Sequence, residues 1–389
     1  MKIQLHLSPR LRVSPGIMIL LSLMSVGFIV AMLRYANGIG AISNLSNTYP
    51  WGFWISFDLF TGVAIGSGAF TMAAIVYIFE LKRFRPLLRP SILTAFLGYL
   101  MVILALLVDL GRPERILHLI IYWNHTSVLF EIGVCVMTYT LVLAIEFAPM
   151  FFEGIKWHKF ADWIHRFIMP FVILGVVLST LHQSSLGGLL LIEPEKLHTL
   201  WWTPSLPVLF FVSAVAIGLA MVIIESSLSS LAFQRGLEVD LLERLAKAIP
   251  LVLGLYLFLK FGDLIFSGDL HYLFASGTMS ILFWAEIVIG TLTPMLLFLW
   301  RSMRRNPTGL LVGASSLVFG MILNRFNVSW FAIHRLANVS YTPSWMEISI
   351  SAAIFAAGIL AFSLAARYLP LFENVKAGNH VKRRIKPKL

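Results

Sequence analysis

The stretch Tyr49-Pro-Trp-Gly-Phe-Trp-Ile-Ser-Phe-Asp58-Leu-Phe-Thr-Gly62-Val-Ala-Ile-Gly66-Ser-Gly68 decides the fold. Its tryptophans suit the rim of a bilayer, and the apolar run that follows can span the hydrocarbon core. Asp58 lies inside that run, where an ionisable side chain is costly and by default marks a functional site. Asp58, Gly62 and Gly66 recur at four-residue steps, which predicts one helix face that another helix or a flat ligand can approach closely.

The composition is that of a polytopic membrane protein. Of 389 residues, 58% are hydrophobic and 13% are charged, whereas soluble domains carry roughly 25% charged residues. The single cysteine excludes a disulfide framework and a cysteine-ligated iron–sulfur cluster within this chain. The net charge of +11 does not indicate nucleic-acid binding, because the basic residues lie in short loops between apolar segments.

The apolar segments predict one all-α membrane domain over residues 1–389 with about ten transmembrane helices. The expected segments are 16–36, 51–79, 91–110, 127–149, 163–183, 206–230, 247–266, 279–300, 309–327 and 346–368. The first segment is expected to be a retained helix rather than a cleaved signal peptide, since no cleavage pattern follows it.

Alternate loops are rich in lysine and arginine. These residues are Lys82, Arg83, Arg85, Arg89, Lys156, Lys159, Arg235, Arg244, Lys247, Arg301, Arg304 and Arg305. Lys2, Arg10 and Arg12 precede the first helix, and a basic tail covers 369–389, whereas the other loops hold only Arg112, Arg115, Lys196 and Arg335. By the positive-inside rule both termini are expected to be cytoplasmic, with the tail serving as a topology signal or a contact with membrane lipid.

Ionisable residues converge on the outer third of the membrane in four consecutive helices. Asp58 lies in helix two, Asp109 and Arg112 close helix three, Glu131 lies in helix four and His182 ends helix five. This convergence predicts a functional site, because charge inside a membrane is rare. The structural alternative is an Asp–Arg pair with hydrogen bonds that only fix the helix packing.

Tyr99, Glu146 and Glu225 lie deeper, toward the cytoplasm. Acids staggered through a bilayer are what a proton relay requires, so Tyr99, Glu131, Glu146 and Glu225 are the candidate proton-transfer residues. The alternative places Glu146 and Glu225 at the inner interface, neutralised by loop lysines.

In the C-terminal half, Lys260 and Asp263 on helix seven, Glu286 on helix eight and Arg325 on helix nine form a second charged group. Two positive and two negative charges can neutralise one another, which favours a structural role.

A membrane haem would need axial histidines within the spans. None of the ten histidines lies at mid-membrane, although His182 with His118 or His125 leaves one outer haem open. No metal-ligand spacing or catalytic triad stands out.

Three motifs carry a resemblance to a known family. The runs Pro50-Trp-Gly-Phe-Trp-Ile-Ser-Phe-Asp58, Val128-Leu-Phe-Glu131 and Leu181-His-Gln-Ser-Ser185 resemble the NrfD/polysulfide-reductase membrane-subunit family. With Val108-Asp-Leu-Gly-Arg112 and ten helices, the sequence most resembles the membrane subunit of hydrogenase-2-type complexes. Lys260-Phe-Gly-Asp263 departs from the family pattern, where an Arg and a Glu are expected.

The resemblance implies two four-helix bundles, helices two to five (51–183) and six to nine (206–327), with one flanking helix at each end. It implies a menaquinone or ubiquinone site in the first bundle, with Asp58, Glu131 and His182 on the matching quinone-region positions, and no haem. Arg112 is added to the quinone-site residues because it can hold Asp109 or Asp58 charged, and no catalytic residue or metal is expected in this chain. It also implies a periplasmic ferredoxin-like partner that carries the [4Fe-4S] clusters and a catalytic subunit, with a nickel–iron hydrogenase favoured. The expected location is the inner membrane.

Two other functions fit parts of the pattern. A secondary transporter would use the outer-facing ionisable site, but such transporters tend to have broken helices near the midplane, and Gly62, Gly66 and Gly68 do not clearly break helix two. A haem-b cytochrome subunit is the other alternative.

Overall fold

A computed structural model describes residues 15–47, 49, 51–192, 196–275, 277–333 and 341–372. Within these ranges the chain is almost entirely helical, and the only β-pairing is an isolated bridge between Leu197 and Ile333. The expected all-α fold is confirmed. Lys2, Arg10, Arg12, Arg335 and the basic tail after residue 372 lie outside the described residues.

Ten helices in the described part of the chain are long and apolar enough to cross a membrane. We number them α1 (Pro15–Asn37), α2 (Ile55–Ile78), α3 (Lys82–Asp109), α4 (Val128–Gly154), α5 (His158–Leu189), α6 (Leu206–Phe233), α7 (Val239–Ser267), α8 (Thr278–Leu299), α9 (Pro307–Phe331) and α10 (Trp345–Tyr368). The prediction of ten spans is thus confirmed, and the chain is an integral multi-pass membrane protein. The face that carries loops 110–127 and 190–205 is called the predicted outer side below.

Helix α5 is longer than the sequence indicated, because it continues past 183 to Leu189. The Ser185 hydroxyl lies 2.9 Å from the Leu181 carbonyl oxygen, so it stays against its own helix. Gly187 and Gly188 therefore lie within the helix. A Cβ on Gly187 would lie 2.6 Å from the Leu206 carbonyl oxygen, so this glycine lets α5 cross close to the start of α6.

Helix α2 is irregular. It opens with a wide π-helical segment, Ile55–Thr61, and makes a separate turn at Gly66 and Ser67 before Gly68–Ala73. The Ser67 hydroxyl lies 2.5 Å from the Ala64 carbonyl and 2.7 Å from the Ala214 carbonyl, so a side chain supports the interrupted backbone. The expectation of an unbroken second helix was wrong at this turn.

Helices pack both against neighbours in sequence and against helices that are distant in sequence. Helix α4 lies along α5, and the terminal helices α1 and α10 lie along each other. A Cβ on Gly27 would meet the Ala353 side chain at 2.2 Å, which shows how close that contact is. Helix α6 contacts α2, α5, α7 and α9, so it joins the N-terminal helices to the C-terminal ones. The division into two four-helix bundles stays a prediction.

Candidate functional site

Tyr99 and His182 form a hydrogen bond inside the protein. The Tyr99 hydroxyl lies 2.7 Å from His182 Nε2, and both side chains are fully buried. The contact joins α3 to α5. The sequence placed Tyr99 deeper than His182, but α5 extends seven residues past His182, which carries the histidine about 10 Å in from the helix end. The two residues therefore meet at one depth.

Tyr139 of α4 completes this buried group and was not identified from the sequence. Its ring lies edge-on to Tyr99 with a centroid separation of 4.8 Å, and 6.0 Å from the His182 ring. Ser179 is also fully buried, and neither its hydroxyl nor His182 Nδ1 has a hydrogen-bond partner among the described residues. A tyrosine in an apolar helix is indistinguishable by sequence pattern from a packing residue, so no signal singled it out.

Glu131 lies at the protein surface, in the first turn of α4. Its carboxylate accepts a hydrogen bond from the Ser185 hydroxyl at 2.5 Å, which joins the outer ends of α4 and α5. The side chain is exposed. Ser185 is one turn beyond His182 on α5, so Glu131 lies next to the buried group but toward the outer end of the helices.

Asp58 contacts the last transmembrane helix, α10. Its carboxylate accepts from the Ser351 hydroxyl of α10 at 2.6 Å. No hydrogen bond or ion pair among the described residues joins Asp58 to His182 or Glu131. The ionisable residues that were expected to converge therefore lie at separate helix contacts. These contacts join α2 to α10, α3 to α5, and α4 to α5.

Arg34, which the sequence did not single out, lies at the end of α3. It is buried, its Nε donates to the Val108 carbonyl at 2.8 Å and its Nη2 donates to the Leu110 carbonyl. These carbonyls flank Asp109. Arg112 is exposed in the loop after α3. The structural alternative of an Asp109–Arg112 pair is not seen among the described residues, because the guanidinium at this helix end comes from Arg34 of α1.

A cavity of about 340 Å³ lies between α2, α3, α6 and α10. Its lining is almost entirely apolar, with Asp58, Thr94 and Glu225 among its few polar side chains. Gly62 also lines it, so Asp58 and Gly62 share one face as expected. Gly66 does not, because the turn at Gly66 places it against the Tyr99 ring, 2.9 Å from where its Cβ would be.

The two inner acids are buried in separate places. Glu146 lies against α5, where a Cβ on Gly175 would be 3.2 Å from its Oε1. Glu225 lines the cavity, and neither of its carboxylate oxygens has a hydrogen-bond partner in the described chain. No described lysine forms an ion pair with either acid, so the structure gives no support to the alternative that loop lysines neutralise them.

The C-terminal charged group is a connected polar network. Lys260 Nζ lies 2.8 Å from Glu286 Oε1, and both side chains are buried. The same carboxylate accepts hydrogen bonds from Trp201, Asn324 and Asn327. Arg325 bonds to the Ser213 hydroxyl at 2.7 Å rather than to a carboxylate.

Asp263 accepts from Thr203 at 2.5 Å and does not pair with Lys260, its helical neighbour. Four donors hold Glu286 in place, which agrees with the structural role that the charges suggested.

The buried histidine does not suit a haem. A membrane b-type haem needs two facing axial histidines. His182 is the one fully buried histidine among the described residues, and its Nε2 is already hydrogen-bonded to Tyr99. His118 and His125 are exposed in the outer loop. The described residues also contain no cluster of three metal-ligating side chains.

Comparison with known proteins gives consistent matches over nearly the whole chain. It is 39% identical over 369 residues to a protein of Nitratidesulfovibrio vulgaris, covering 92% of this chain and 94% of the relative. It is 32% identical to the probable Ni/Fe-hydrogenase 2 b-type cytochrome subunit of Escherichia coli, over 95% of both chains. It is 30% identical to the menaquinone reductase integral membrane subunit of Nitratidesulfovibrio vulgaris, over 89% of this chain and 88% of the relative.

The family model described as polysulphide reductase, NrfD matches residues 41–337. This match includes α2 to α9, the buried Tyr99–His182 pair and the outer motifs on which the resemblance rested. The expected kinship is therefore confirmed, and the chain belongs to the NrfD family of polysulphide reductase membrane subunits.

Proposed function

We propose that this protein is the quinone-interacting membrane subunit of a respiratory oxidoreductase complex in the inner membrane. It passes electrons between a partner's iron–sulfur clusters on the predicted outer side and menaquinone or ubiquinone in the bilayer. Its family membership supports this, as do relatives named as membrane subunits of a hydrogenase and of a menaquinone reductase. The chain needs its partners for turnover, because it supplies no cluster of its own.

The single observation that carries the proposal is the cavity between α2, α3, α6 and α10. Its 340 Å³ falls in the range of small-molecule sites, which are mostly apolar with a few placed polar groups. It lies at membrane depth, where a quinone is dissolved. At its outer end, Asp58 supplies a carboxyl group fixed by Ser351 at 2.6 Å, which can hydrogen-bond a quinone oxygen.

The Tyr99–His182 pair and Glu131 are proposed to move protons to and from the quinone. Reduction of a quinone to a quinol takes two electrons from the partner's clusters and two protons. Histidine can donate or accept a proton near neutral pH, and its 2.7 Å contact gives Tyr99 a partner for proton exchange. Glu131 is exposed on the predicted outer side and can exchange protons there. Arg112 is also exposed on the predicted outer side. It is proposed to contribute to the quinone site through the loop after α3, in which it lies.

The partner is proposed to be a periplasmic ferredoxin-like subunit joined to a catalytic subunit, with a nickel–iron hydrogenase favoured by the Escherichia coli relative. The loop between α3 and α4 supports docking on the predicted outer side. It exposes Leu117, Ile121, Tyr122 and Trp123, each more than half accessible in the isolated chain. Exposed aromatic residues of this kind are enriched at interfaces between proteins and at membrane rims.

The turn at Gly66 is one observation in favour of the transporter alternative, since broken helices are typical of transporter sites. In α2, however, the Ser67 hydroxyl lies against the Ala64 carbonyl of the interrupted backbone and the Ala214 carbonyl of α6, so these carbonyls are not free to bind an ion. Family membership also favours the redox subunit.

The test compares two electron acceptors in the purified complex. Asp58→Asn, Glu131→Gln and His182→Ala are expected to abolish reduction of quinone while a soluble dye is still reduced by the partner subunits. The control is Asp162→Asn, which changes an exposed carboxylate near the start of α5 and should retain both activities. Loss of both activities would indicate failed assembly of that variant. Unchanged quinone reduction in all three variants would remove these residues from the site and contradict the proposal.

A further inference from the structure

The inner half of the cavity contains hydrogen-bonding groups that the proposed site near Asp58 does not use. Glu225 is 9% exposed, and both of its carboxylate oxygens are buried without a hydrogen-bond partner in the described chain. The Thr94 hydroxyl, which also lines the cavity, is buried and unpartnered as well. Leaving such groups unpaired is unfavourable, and more so for a charged group.

Arg235 and Ser229 lie near Glu225, but no hydrogen bond or ion pair of ordinary geometry joins either residue to its carboxylate. The nearest cation, Arg235, donates to the Ser229 hydroxyl at 2.7 Å and stacks on the Phe372 ring at 3.7 Å. It forms no ion pair with Glu225 within 4.0 Å among the described residues. Ser229 in turn lies 3.3 Å from the Ser226 carbonyl, to which it donates.

Glu225 is far from Asp58 along the membrane normal. Asp58 lies three residues from the start of α2 and Glu225 nineteen residues from the start of α6, and both helices begin on the predicted outer side. At about 1.5 Å per residue, their depths differ by about 24 Å. One quinone head group therefore cannot contact both carboxyl groups at once. If only an isoprenoid tail filled the inner half, Glu225 and Thr94 would face hydrocarbon.

The cavity is accessible from the lipid. Leu228 of α6 and Phe355 and Ile359 of α10 line it and are 52%, 45% and 43% exposed in the isolated chain. These residues lie within the spans, so the surface they expose faces the bilayer. An occupant that enters between them must carry a long apolar chain and a head group that is stable well inside the hydrocarbon. A phosphate head group fails this condition, because its charge would have to leave water and approach an acid.

We propose that Glu225 and Thr94 form a second binding position for a quinol head group, in the inner half of the same cavity. This inference rests on the proposed function, because it takes the same class of substrate. A quinol carries uncharged hydroxyls that can donate to the Glu225 oxygens, and Thr94 can donate to or accept from the other oxygen. The position binds the substrate and transfers no electrons. It gives the quinol a place on its route between the bilayer and Asp58.

The experiment labels the purified complex with a photoreactive azidoquinone that carries an isoprenoid tail. The labelled peptides are then mapped by mass spectrometry. Wild-type protein is expected to be labelled both on α2 near Asp58 and on the α6 and α10 segments 221–233 and 354–363. Glu225→Leu should lower the inner labelling by about fivefold to tenfold, as the loss of a hydrogen-bonded partner predicts. Glu225→Gln, which keeps a hydrogen-bonding group, should lower it less.

Two tryptophan variants test the route. Leu228→Trp is expected to block the inner half and remove the inner labelling while labelling near Asp58 persists. Leu231→Trp is the matched control, since Leu231 is also on α6 and 71% exposed but does not line the cavity. It should retain both labels. Correct association with the partner subunits in each variant shows that it has folded.

The outcomes separate this inference from the proposed function. Labelling near Asp58 alone would overturn the second position and leave the proposed function standing. Labelling nowhere on the chain would overturn both. Inner labelling that is unchanged by Leu228→Trp and Glu225→Leu, or that is displaced by phospholipid alone, would show that the inner half holds only lipid chains.

Discussion

The Tyr99 hydroxyl lies 2.7 Å from His182 Nε2, and the two residues come from helices that are separated by α4 along the chain. Both side chains are fully buried within the membrane-spanning region. A buried hydrogen bond of this kind holds α3 and α5 in one register, since losing either partner leaves the other unpaired. The same contact fixes the orientation of the imidazole.

The first prediction concerns that bond. Tyr99→Phe is expected to destabilise the protein by about 1–3 kcal/mol, because His182 Nε2 then loses its buried hydrogen-bond partner. Quinone reduction should fall while dye reduction by the complex persists. The thermal midpoint in detergent and the two activities measure this. Tyr256→Phe, which removes an equally buried tyrosine hydroxyl from α7, is the control and should retain quinone reduction. Equal losses of quinone reduction in the two variants would contradict a specific role for Tyr99.

The second prediction is that the purified subunit shows no haem Soret band. His182 is committed to Tyr99, and the other described histidines are exposed or only half-buried, so no facing pair of axial ligands is formed. An absorption spectrum of the subunit and of the complex, with the haem extracted and quantified, checks it. A stoichiometric band that persists in the pure subunit would restore the cytochrome alternative.

The third prediction uses two adjacent glycines of α5. A Cβ at Gly187 would lie 2.6 Å from the Leu206 carbonyl oxygen, whereas one at Gly188 would meet nothing within 4 Å. Gly187→Ala should therefore destabilise the protein by about 1–3 kcal/mol through overpacking. Gly188→Ala should be neutral or stabilise it by up to about 1 kcal/mol, because alanine favours the helix. Thermal unfolding in one detergent compares them, and similar midpoints would refute the close crossing of α5 and α6.

The ten spans could be predicted from the sequence because every backbone group in a bilayer must be satisfied within its own helix, over an apolar length. The orientation of each helix about its axis could not. In a membrane, the surfaces that face lipid and protein are both apolar, so no polar stripe marks the outward face. Asp58 and Glu131 both lie in the outer third, yet Asp58 contacts Ser351 of α10 and Glu131 contacts Ser185 of α5.

The depth of His182 was mispredicted for a related reason. The serines after it resemble the end of a helix in sequence, but α5 continues through them to Leu189, and the Ser185 hydroxyl lies against the Leu181 carbonyl and Glu131. Arg34 was overlooked because a single arginine near the end of a hydrophobic helix is typical of an interface residue. Its contacts with the Val108 and Leu110 carbonyls depend on the packing of α1 against α3.

The fourth prediction concerns the buried pair in the C-terminal half. Lys260→Met removes the cation 2.8 Å from Glu286 and leaves a buried carboxylate with neutral donors only. The expected cost is about 3–5 kcal/mol, as for other buried pairs broken on one side. The double variant Lys260→Met, Glu286→Gln should recover most of it, because no unpaired charge remains. Thermal unfolding checks both. A double variant no more stable than the single one would show that the network depends on the ions themselves.

The last prediction concerns the origin of the protons. If Tyr99, Glu146 and Glu225 form a relay inward from Glu131, quinone protonation draws partly on the cytoplasmic side and turnover is electrogenic. The geometry favours such a path in part: Glu146 and Glu225 are buried, and neither forms an ion pair in the described chain. A charge that crosses the whole field is worth about 2.3 kcal/mol per 100 mV, so a membrane potential could then drive the complex in reverse.

The measurement uses liposomes that hold the complex in one orientation, with a potential-sensitive dye. Turnover of the wild-type complex should build a potential, and Glu146→Gln or Glu225→Gln should lower it while reduction of a soluble dye by the partner subunits is retained. Glu153→Gln is a suitable control, because Glu153 is held by Arg89 at 2.8 Å near the inner end of α4 and lies outside the proposed relay. The alternative is proton exchange with the outer side through the loops around Arg112 and His118. Turnover that builds no potential, and that neither substitution changes, would establish that outer route and leave Glu146 and Glu225 without a part in proton transfer.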